Sequence, residues 1–283
     1  MLRAVMVIID GTPVPDDEAA ISVYDWGLLR GYGVFEVIRV YDGRTFRARQ
    51  HLDRLERSAA ALAIDLPDRD ELESWIADCA EAGGNCEVRI VVTGGSRDQH
   101  TEAASRTIVL SEPTPNTPER IAVLPMKALW HPGTDAGGFA GVKWTSYAPN
   151  MASTDKAQLA GFDDALLLTA ESIVLEGPTF TVAWISDGRL ETPTLELGIL
   201  ASVTRDVLVE SAHRLDIEVK QGFFPLERLL GADEALALST VKQVIPIEKV
   251  GEHAVPVGEI GTALANEFRS IVEVETGHAA ATS

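Results

Sequence analysis

The stretch Pro113-Thr114-Pro115-Asn116-Thr117-Pro118 decides the organisation of the chain, because three prolines within six residues interrupt both helices and central strands. Of the 283 residues, 112 precede this stretch and 165 follow it. A hydrophobic content of 46% allows a chain of this length to form the cores of two domains. We therefore predict a small N-terminal domain over residues 1–112, an interdomain linker over 113–120 and a larger domain over 121–283.

On the N-terminal side, the apolar pattern predicts strands and helices in separate segments. The stretch from Val34 to Tyr41 is rich in β-branched residues and ends at the turn Asp42-Gly43, so it predicts a strand. Beyond this turn, apolar residues recur at spacings of three and four and share one helix face; they are Leu52, Leu55, Ala59 and Leu62. We also predict a helix over 70–82 and strands over 5–9, 87–93 and 107–110. This arrangement indicates an α+β domain.

On the C-terminal side, the segments between 165 and 185 are short and rich in strand-forming residues. Strands are predicted over 121–125, 165–168, 173–175, 179–185, 234–239 and 244–247. Helices are predicted over 150–159, 203–215 and 261–275. The chain as a whole is therefore placed in the α+β class.

Composition excludes several classes of partner. The chain has 43 acidic and 24 basic residues, so its surface repels the phosphate backbone of nucleic acids. Because it has no apolar run of about 18 residues, we expect no membrane partner either. Two cysteines, Cys79 and Cys86, are expected to be free thiols in a reduced compartment, and their spacing is not that of a zinc site. We therefore expect a cytoplasmic protein without a bound metal.

Lys143 is one of only six lysines and has unusual neighbours. It follows a glycine-rich segment and lies between Val142 and Trp144. Apolar surroundings favour the neutral amine, which is the form that Schiff-base chemistry requires. Taken alone, the local sequence fits better with a lysine whose stem packs beside a tryptophan and whose amine reaches water.

Two further segments carry polar groups in suggestive places. The stretch from Thr192 to Arg205 reads as a loop that turns into a helix, whose first amides and positive dipole end suit a phosphate. Ser202 and Thr204 can add hydroxyl groups there, although an ordinary helix cap explains this stretch better when it is taken alone. Glu176 follows an apolar strand and, if buried, needs a cationic partner such as a protonated ring nitrogen. The alternative is a solvated glutamate in a turn.

Together, four ordered motifs resemble those of the class IV aminotransferases, the fold-type IV enzymes that use pyridoxal phosphate. This group includes branched-chain and D-amino acid aminotransferases, (R)-amine transaminases and aminodeoxychorismate lyases. The resemblance extends from about Ile21 to Ile247, nearly the whole chain. The motifs are Asp25-Trp26-Gly27 through Gly33-Val34-Phe35-Glu36; His51-Leu52-Asp53-Arg54-Leu55; Lys143 with Gly161-Phe162-Asp163-Asp164-Ala165; and Glu176-Gly177 leading to Thr192-Pro193 and Thr204-Arg205.

The resemblance implies a two-domain architecture, with a small α/β N-terminal domain and a larger β-barrel-like C-terminal domain. It also implies pyridoxal 5'-phosphate as the cofactor, held as a Schiff base on the catalytic Lys143. Glu176 is then the partner of the pyridine nitrogen and Arg54 the cationic phosphate anchor. The remaining cofactor-binding residues that it implies are Tyr147, Leu200, Ser202, Val203, Thr204 and Thr240.

The resemblance further implies an amino donor and a 2-oxo acid as substrates, and a homodimer. Tyr147 follows Lys143 by four residues, a spacing more similar to the D-amino acid and (R)-amine branches than to the branched-chain enzymes. The candidates for substrate binding are Phe35, Arg39 and Arg97. The two arginines are chosen because a planar guanidinium pairs bidentately with a carboxylate. The predicted activity is transamination of the D-amino-acid or branched-chain type. The alternatives are a lyase of the aminodeoxychorismate type and, more remotely, a binding protein without activity.

Overall fold

The computed structural model describes residues 5–96, 104–131 and 138–278, and the chain forms two compact units. The first unit lies within Met1–Asn116, Val142–Tyr147 and Val274–Ser283, and the second within Thr117–Gly141 and Ala148–Glu273. The segment that carries Lys143 and the end of the last helix therefore belong to the first unit. The sequence prediction had placed all of 121–283 in one domain.

The first unit contains a six-stranded sheet in the order β2-β1-β6-β5-β3-β4, and every strand pair in it is antiparallel. Helices α2 and α3 pack against this sheet. The elements of the first unit are β1 (Met6–Ile9), β2 (Thr12–Val14), α1 (Trp26–Arg30), β3 (Gly33–Tyr41), β4 (Arg44–Thr45), α2 (Ala48–Ala61), α3 (Arg69–Gly83), β5 (Cys86–Thr93) and β6 (Arg106–Pro113).

Strand β3 shows why this sheet has a dry face and a more accessible one. Successive side chains of a strand point to opposite faces, and Val34, Glu36, Ile38 and Val40 are all buried. The intervening residues 35, 37 and 39 are only partly buried. Apolar residues of α2 cover the dry face, so that Glu36 lies at a core position.

The second unit contains an eight-stranded sheet in the order β11-β10-β9-β12-β13-β7-β8, with β14 added beside β13. The pairs β10–β11, β13–β7 and β7–β8 are parallel. The elements are β7 (Ile121–Lys127), α4 (Ala148–Leu159), β8 (Asp164–Leu168), β9 (Thr181–Ser186), β10 (Arg189–Pro193), α5 (Val203–Arg214), β11 (Val219–Gly222), α6 (Leu226–Leu230), β12 (Glu234–Ser239), β13 (Gln243–Val250), β14 (His253–Ala254) and α7 (Glu259–Thr276).

The two ends of the second sheet are connected by irregular pairings. Val174 bridges to Leu168 at the end of β8, and Ile173 bridges to Pro225, three residues beyond β11. The sheet therefore curls toward closure, in agreement with the barrel-like architecture implied by the resemblance. Trp184 is completely buried in its core, and its indole N–H donates to the Glu191 carboxylate at 2.9 Å.

A glutamate from the sheet caps the last helix. The Glu234 carboxylate accepts hydrogen bonds from the amides of Gly258, Ile260 and Gly261 at 3.2, 3.1 and 2.7 Å. These amides lie at the start of α7, where no carbonyl of the preceding helical turn exists to accept from them. Within the described residues, no helix combines the length and the apolar character needed to cross a membrane.

Candidate active site

The main chain around Lys143 is held against the first strand residues of β3. The Lys143 carbonyl accepts from the Phe35 amide at 3.0 Å, and the Thr145 amide donates to the Gly33 carbonyl at 2.9 Å. The Lys143 amide donates to the Ser58 hydroxyl of α2 at 3.1 Å. Because bonds on both sides of the lysine tie it to a strand and a helix, its side chain starts from a fixed position.

Two glycines permit this close approach. The hydroxyls of Thr145 and Ser146 both donate to the Gly31 carbonyl, each at 2.9 Å. Gly31 ends α1 in a left-handed conformation with φ +63°, and a Cβ atom there would lie 2.5 Å from the Ser146 hydroxyl. A Cβ on Gly33 would lie 3.0 Å from the Thr145 hydroxyl. A side chain at either position would therefore push the lysine segment away from β3.

The Lys143 amine lies beside two aromatic rings. Its Nζ is 4.3 Å from the centroid of the Phe35 ring and 5.9 Å from that of Tyr147. The two rings contact each other edge to face, with centroids 5.3 Å apart. The structure thus brings together three residues that the sequence predicted for the site, and it gives the amine a partly apolar environment.

Beside this group, Arg54 forms a buried ion cluster with Glu36 and His51. The Arg54 Nε and Nη2 donate to the two carboxylate oxygens of Glu36 at 2.7 and 2.8 Å, a bidentate pair. The His51 Nδ1 is 2.9 Å from the same carboxylate. The side-chain exposures of Arg54, Glu36 and His51 are 6%, 0% and 2%. A charge pair this deeply buried is maintained only because its hydrogen bonds are satisfied.

The electrostatics of the cluster set its charge states. Burial alone would raise the pKa of Glu36, but the charge and hydrogen bonds of Arg54, with a smaller effect of His51, hold that pKa far below its usual range. Burial lowers the pKa of His51, and the charges of Arg54 and Lys143 act in the same direction against the opposing effect of Glu36. Around neutral pH, Glu36 is therefore ionised and His51 neutral.

In the second unit, Glu176 presents a partly buried carboxylate to its neighbours. The Leu200 amide donates to it at 3.3 and 3.4 Å, and the His131 Nε2 lies 3.5 Å from its Oε1. Its main chain is also fixed, because its carbonyl accepts from the Leu167 amide at 2.8 Å. A Cβ on the following Gly177 would overlap the Phe180 ring at 2.0 Å, so glycine is required for this turn.

The N-terminus of α5 provides a second polar feature in this unit. The Ser202 hydroxyl accepts from the Arg205 amide at 3.2 Å, and the Ser202 carbonyl accepts from the Asp206 amide at 3.1 Å. In the described part of the chain, neither cap oxygen accepts from the amides of Val203 and Thr204, which are the first two of the helix. Two adjacent amides at a positive helix end, with the hydroxyl of Thr204, suit an anionic group.

A hydrogen bond of Arg205 ties the start of α5 to the end of β10. Arg205 is 3% exposed, and its Nη2 donates to the Pro193 carbonyl at the end of β10 at 3.1 Å. Thr240, the other hydroxyl predicted for the site, is partly buried in the turn that follows β12. Helix α5 packs against β12.

One predicted substrate residue, Arg39, lies away from Lys143. It shares a face of β3 with Phe35, but the two are four positions apart, which is about 13 Å along a strand. The Arg39 Nη1 donates to the Cys86 carbonyl at 2.7 Å and to the Thr114 hydroxyl, and the guanidinium lies over the Tyr41 ring. These contacts engage one of its two terminal nitrogens. Arg97 lies outside the described residues.

The sequence reading overlooked the partners of the predicted residues. Glu36 and His51 both belong to motifs quoted above, yet neither was assigned a role. The available signals were a lone carboxylate on the core face of an apolar strand, and the three-residue spacing of His51 and Arg54 on one helix face. Ser58 extends that face by four residues. His131 had no comparable signal, because its contact with Glu176 joins residues far apart in sequence.

Comparison with known proteins shows the family to which the chain belongs. The family model described as amino-transferase class IV matches residues 33–250. A putative branched-chain-amino-acid aminotransferase of Methanocaldococcus jannaschii is 30% identical over 94% of this chain and 96% of its own length. An aminodeoxychorismate lyase of Bacillus subtilis is 29% identical over 97% and 98%. A D-alanine aminotransferase of Staphylococcus epidermidis is 28% identical over 90% and 93%.

A solved structure shows the same fold. The branched-chain aminotransferase of Thermoproteus uzoniensis, crystallised with norvaline, superposes with a TM-score of 0.85 and is 27% identical. The superposition covers 95% of this chain and 95% of that one. The similarity therefore extends over both units and both sets of polar residues described above.

Proposed function

Because the chain belongs to the class IV aminotransferases, we propose that it transfers an amino group between an amino acid, or a primary amine, and a 2-oxo acid. The donor is of the D-amino-acid or branched-chain type. Relatives named for both types align over nine tenths or more of the chain. Pyridoxal phosphate is the cofactor, as throughout this family.

The residues of the structure fit this cofactor. It needs a lysine amine, an acid partner for a ring nitrogen and donors for a phosphate. Lys143, the Glu176 carboxylate and the first amides of α5 are of these types. Arg54 adds a cation, and Leu200, Ser202, Val203, Thr204, Thr240 and Tyr147 complete the set that we assign to cofactor binding. When bound, pyridoxal phosphate bonds covalently to a lysine amine and withdraws electrons from the substrate Cα.

Each of these residues has a defined task in the proposal. Lys143 takes the proton from the substrate Cα and would deliver it to the C4′ carbon of the cofactor, for which its amine must be neutral when it acts as a base. Glu176 supplies the negative charge that keeps a ring nitrogen protonated. The helix start at Val203 and Thr204 and the Arg54 guanidinium hold the phosphate. Phe35 borders the substrate through its contact with Lys143. Arg39 and Arg97 remain the candidates for binding the substrate carboxylate.

The observation that carries the proposal is the attachment of the Lys143 main chain to β3 and α2. A flexible surface lysine has no reason to have both its amide and its carbonyl hydrogen-bonded, and its amine beside two aromatic rings. Here those contacts orient one amine, and orientation of a catalytic group contributes several kcal/mol to catalysis, on the order of 7 or more in favourable cases.

The test compares the parent protein with Lys143→Ala, and with Lys127→Ala as a control. After loading with pyridoxal phosphate and reduction with borohydride, peptide mass mapping should find the pyridoxyl group on Lys143 in the parent and the control. Lys143→Ala should lose both this adduct and turnover while keeping its circular dichroism spectrum. An adduct on another lysine would overturn the assignment.

The donor is identified by half-reaction spectra with L-leucine, D-alanine and (R)-1-phenylethylamine, followed by turnover with 2-oxoglutarate or pyruvate. We expect one donor to be strongly preferred. Absence of amino transfer from every donor to either acceptor would refute the transaminase assignment.

A second candidate is a lyase of the aminodeoxychorismate type, supported by the Bacillus subtilis relative that aligns over nearly the whole chain. It would use the same lysine and cofactor. Release of pyruvate from aminodeoxychorismate without any amino acceptor would favour this lyase over the transaminase.

We also propose that the chain forms a homodimer through the first unit. Large apolar side chains between residues 21 and 29 are exposed to solvent, and they include Val23, Tyr24, Leu28 and Leu29 at 66%, 73%, 61% and 50%. A patch of this kind typically marks an interface. Light scattering at several concentrations should give twice the 30.5 kDa chain mass, and Tyr24→Asp with Leu28→Asp should shift it toward the monomer.

A further inference from the structure

Among the described residues, Glu36 is the only acid in the buried cluster that it forms with Arg54 and His51. It is completely buried and occupies a core position of β3 between Val34 and Ile38. Its two oxygens receive three N–H groups, two from Arg54 and one from His51. An isolated carboxylate at such a position would be strongly unfavourable, so the residue is stabilised only through its partners.

The geometry shows what this carboxylate does to Arg54. Contacts at both Nε and Nη2 define the plane of the guanidinium as well as its distance, which a single hydrogen bond would not. The third member of the cluster, His51, is a neutral ring. Glu36 is therefore the negative charge that balances the Arg54 guanidinium.

We propose that Glu36 is a positioning residue for anion binding. It orients the Arg54 guanidinium and balances its charge when no phosphate is present. The inference rests on the proposed role of Arg54 as the phosphate anchor. It also predicts something that a purely structural role does not, namely a change in how strongly an added anion stabilises the protein.

Charge balance around Arg54 determines how phosphate affects the stability of the variant. In Glu36→Gln the shape of the side chain is nearly kept, but Arg54 becomes a buried cation without its counter-charge. A bound phosphate restores a negative charge, whereas a neutral molecule does not. The variant should thus be less stable than the parent without phosphate and should recover more of its stability when phosphate binds.

The experiment measures thermal unfolding of the full-length protein, freed of cofactor, in phosphate-free buffer and then with increasing inorganic phosphate at constant ionic strength. We expect the increase in Tm from zero to saturating phosphate to be about twice as large for Glu36→Gln as for the parent. Equal increments for the two proteins would overturn the proposal, since a residue needed only for folding lowers both Tm values together.

Glu87→Gln provides the matched control. Glu87 is also buried, on the neighbouring strand β5, but it is paired in register with Arg39 and lies three residues from Ile90, the partner of Glu36. An odd separation places it on the opposite face of the sheet. Its phosphate increment should equal that of the parent, whatever its effect on Tm.

Two further variants keep the test decisive if Glu36→Gln does not fold. Glu36→Asp retains the charge on a shorter stem, so its phosphate increment should match the parent while its affinity for pyridoxal phosphate falls about tenfold, by loss of orientation. Unchanged affinity in Glu36→Asp would contradict the positioning role. Combining Glu36→Gln with Arg54→Met removes both charges. The extra increase in Tm on phosphate addition should then disappear, leaving the increase that the Glu87→Gln control shows.

The phosphate test and the proposed transaminase activity can fail independently of each other. The phosphate increments require no turnover, so a protein without transaminase activity can still show them. Conversely, if the parent transaminates but Arg54→Met binds phosphate as the parent does, the anchor role of Arg54 and this inference fail while the reaction stands.

Discussion

Replacement of Gly31 by alanine tests whether close contact between the lysine segment and β3 controls catalysis. Gly31 has φ +63°, and a Cβ there would lie 2.5 Å from the Ser146 hydroxyl and 3.2 Å from the Ser146 Cα. The left-handed conformation costs an L-residue about 1–2 kcal/mol. Relief of the contact additionally requires the segment after Lys143 to shift by several tenths of an ångström.

Gly43→Ala separates these two effects. Gly43 has φ +78°, so alanine experiences similar backbone strain, but the nearest atom to its Cβ would be the Glu81 Cα at 3.8 Å. Both variants should therefore lose about 1–2 kcal/mol of unfolding free energy. Only Gly31→Ala should displace the catalytic amine.

The expected magnitude follows from the sensitivity of catalysis to position. A misplacement of about 1 Å can reduce the rate by roughly a hundredfold, so a shift of several tenths of an ångström should reduce kcat/KM about tenfold. This corresponds to about 1.4 kcal/mol in the activation barrier. Gly43→Ala should remain within about twofold of the parent, which is less than 0.5 kcal/mol.

The assay is kcat/KM with the preferred amino donor, combined with urea unfolding of the same preparations. Adding Ser146→Ala to Gly31→Ala removes the nearest atom and should restore part of the activity. If Gly31→Ala and Gly43→Ala lose activity equally, or if the second substitution restores nothing, then the approach of this segment to β3 does not control the position of Lys143.

Three further predictions concern carboxylates, two of them buried. Folding lowers the pKa of Glu36 below its usual value of 4.5, so ionisation of Glu36 stabilises the fold above that pH. Urea unfolding at several pH values should show a constant difference in unfolding free energy between the parent and Glu36→Gln near neutral pH. That difference should shrink below about pH 4.5. Glu234→Gln should cost about 1–3 kcal/mol in urea unfolding, because an amide group cannot accept from all three amides at the start of α7, whereas Glu259→Gln in the exposed first turn should be nearly neutral; equal losses would show that the cap is unimportant. Glu176→Gln should keep the Leu200 contact and the Tm but lower kcat about tenfold or more, and an unchanged kcat would exclude Glu176 as the partner of the ring nitrogen.

Local patterns were sufficient to predict most of the regular elements. The strand from Val34 and the helix from Val203 appear within one residue of their expected bounds, and the helix of the Leu52 stripe begins at Ala48, four residues before the stripe. Short elements escaped prediction: α1, β10, β11 and α6 have five residues or fewer, too few to show a period. The prolines after 112 did not end the strand at once, since Pro113 is the last residue of β6, where a missing N–H is tolerated.

Residues of the candidate site that belong to a sequence motif could be predicted. Contacts between residues far apart in sequence could not. The motifs identified Lys143, Arg54 and Glu176, whose placement in the cofactor site remains a prediction. The pairing of Arg54 with Glu36 depends on the way α2 crosses β3, which no local pattern specifies. Arg39 is a further example. The family motif made it a carboxylate candidate, but its distance from Phe35 along β3 and its contacts with Cys86 and Thr114 could be known only from the structure.

The return of residues 142–147 to the first unit has a consequence for biosynthesis. On the ribosome, the strands and helices of residues 5–113 emerge first, and domains generally begin to fold in that order. The stretch that anchors Lys143 emerges about thirty residues later, and the ion pair of Arg47 with Glu275 must wait for almost the last part of the chain. A nascent chain interrupted before 142 can therefore build the sheet with its buried Glu36 and Arg54, yet it lacks the Lys143 amine to which the cofactor is proposed to bind.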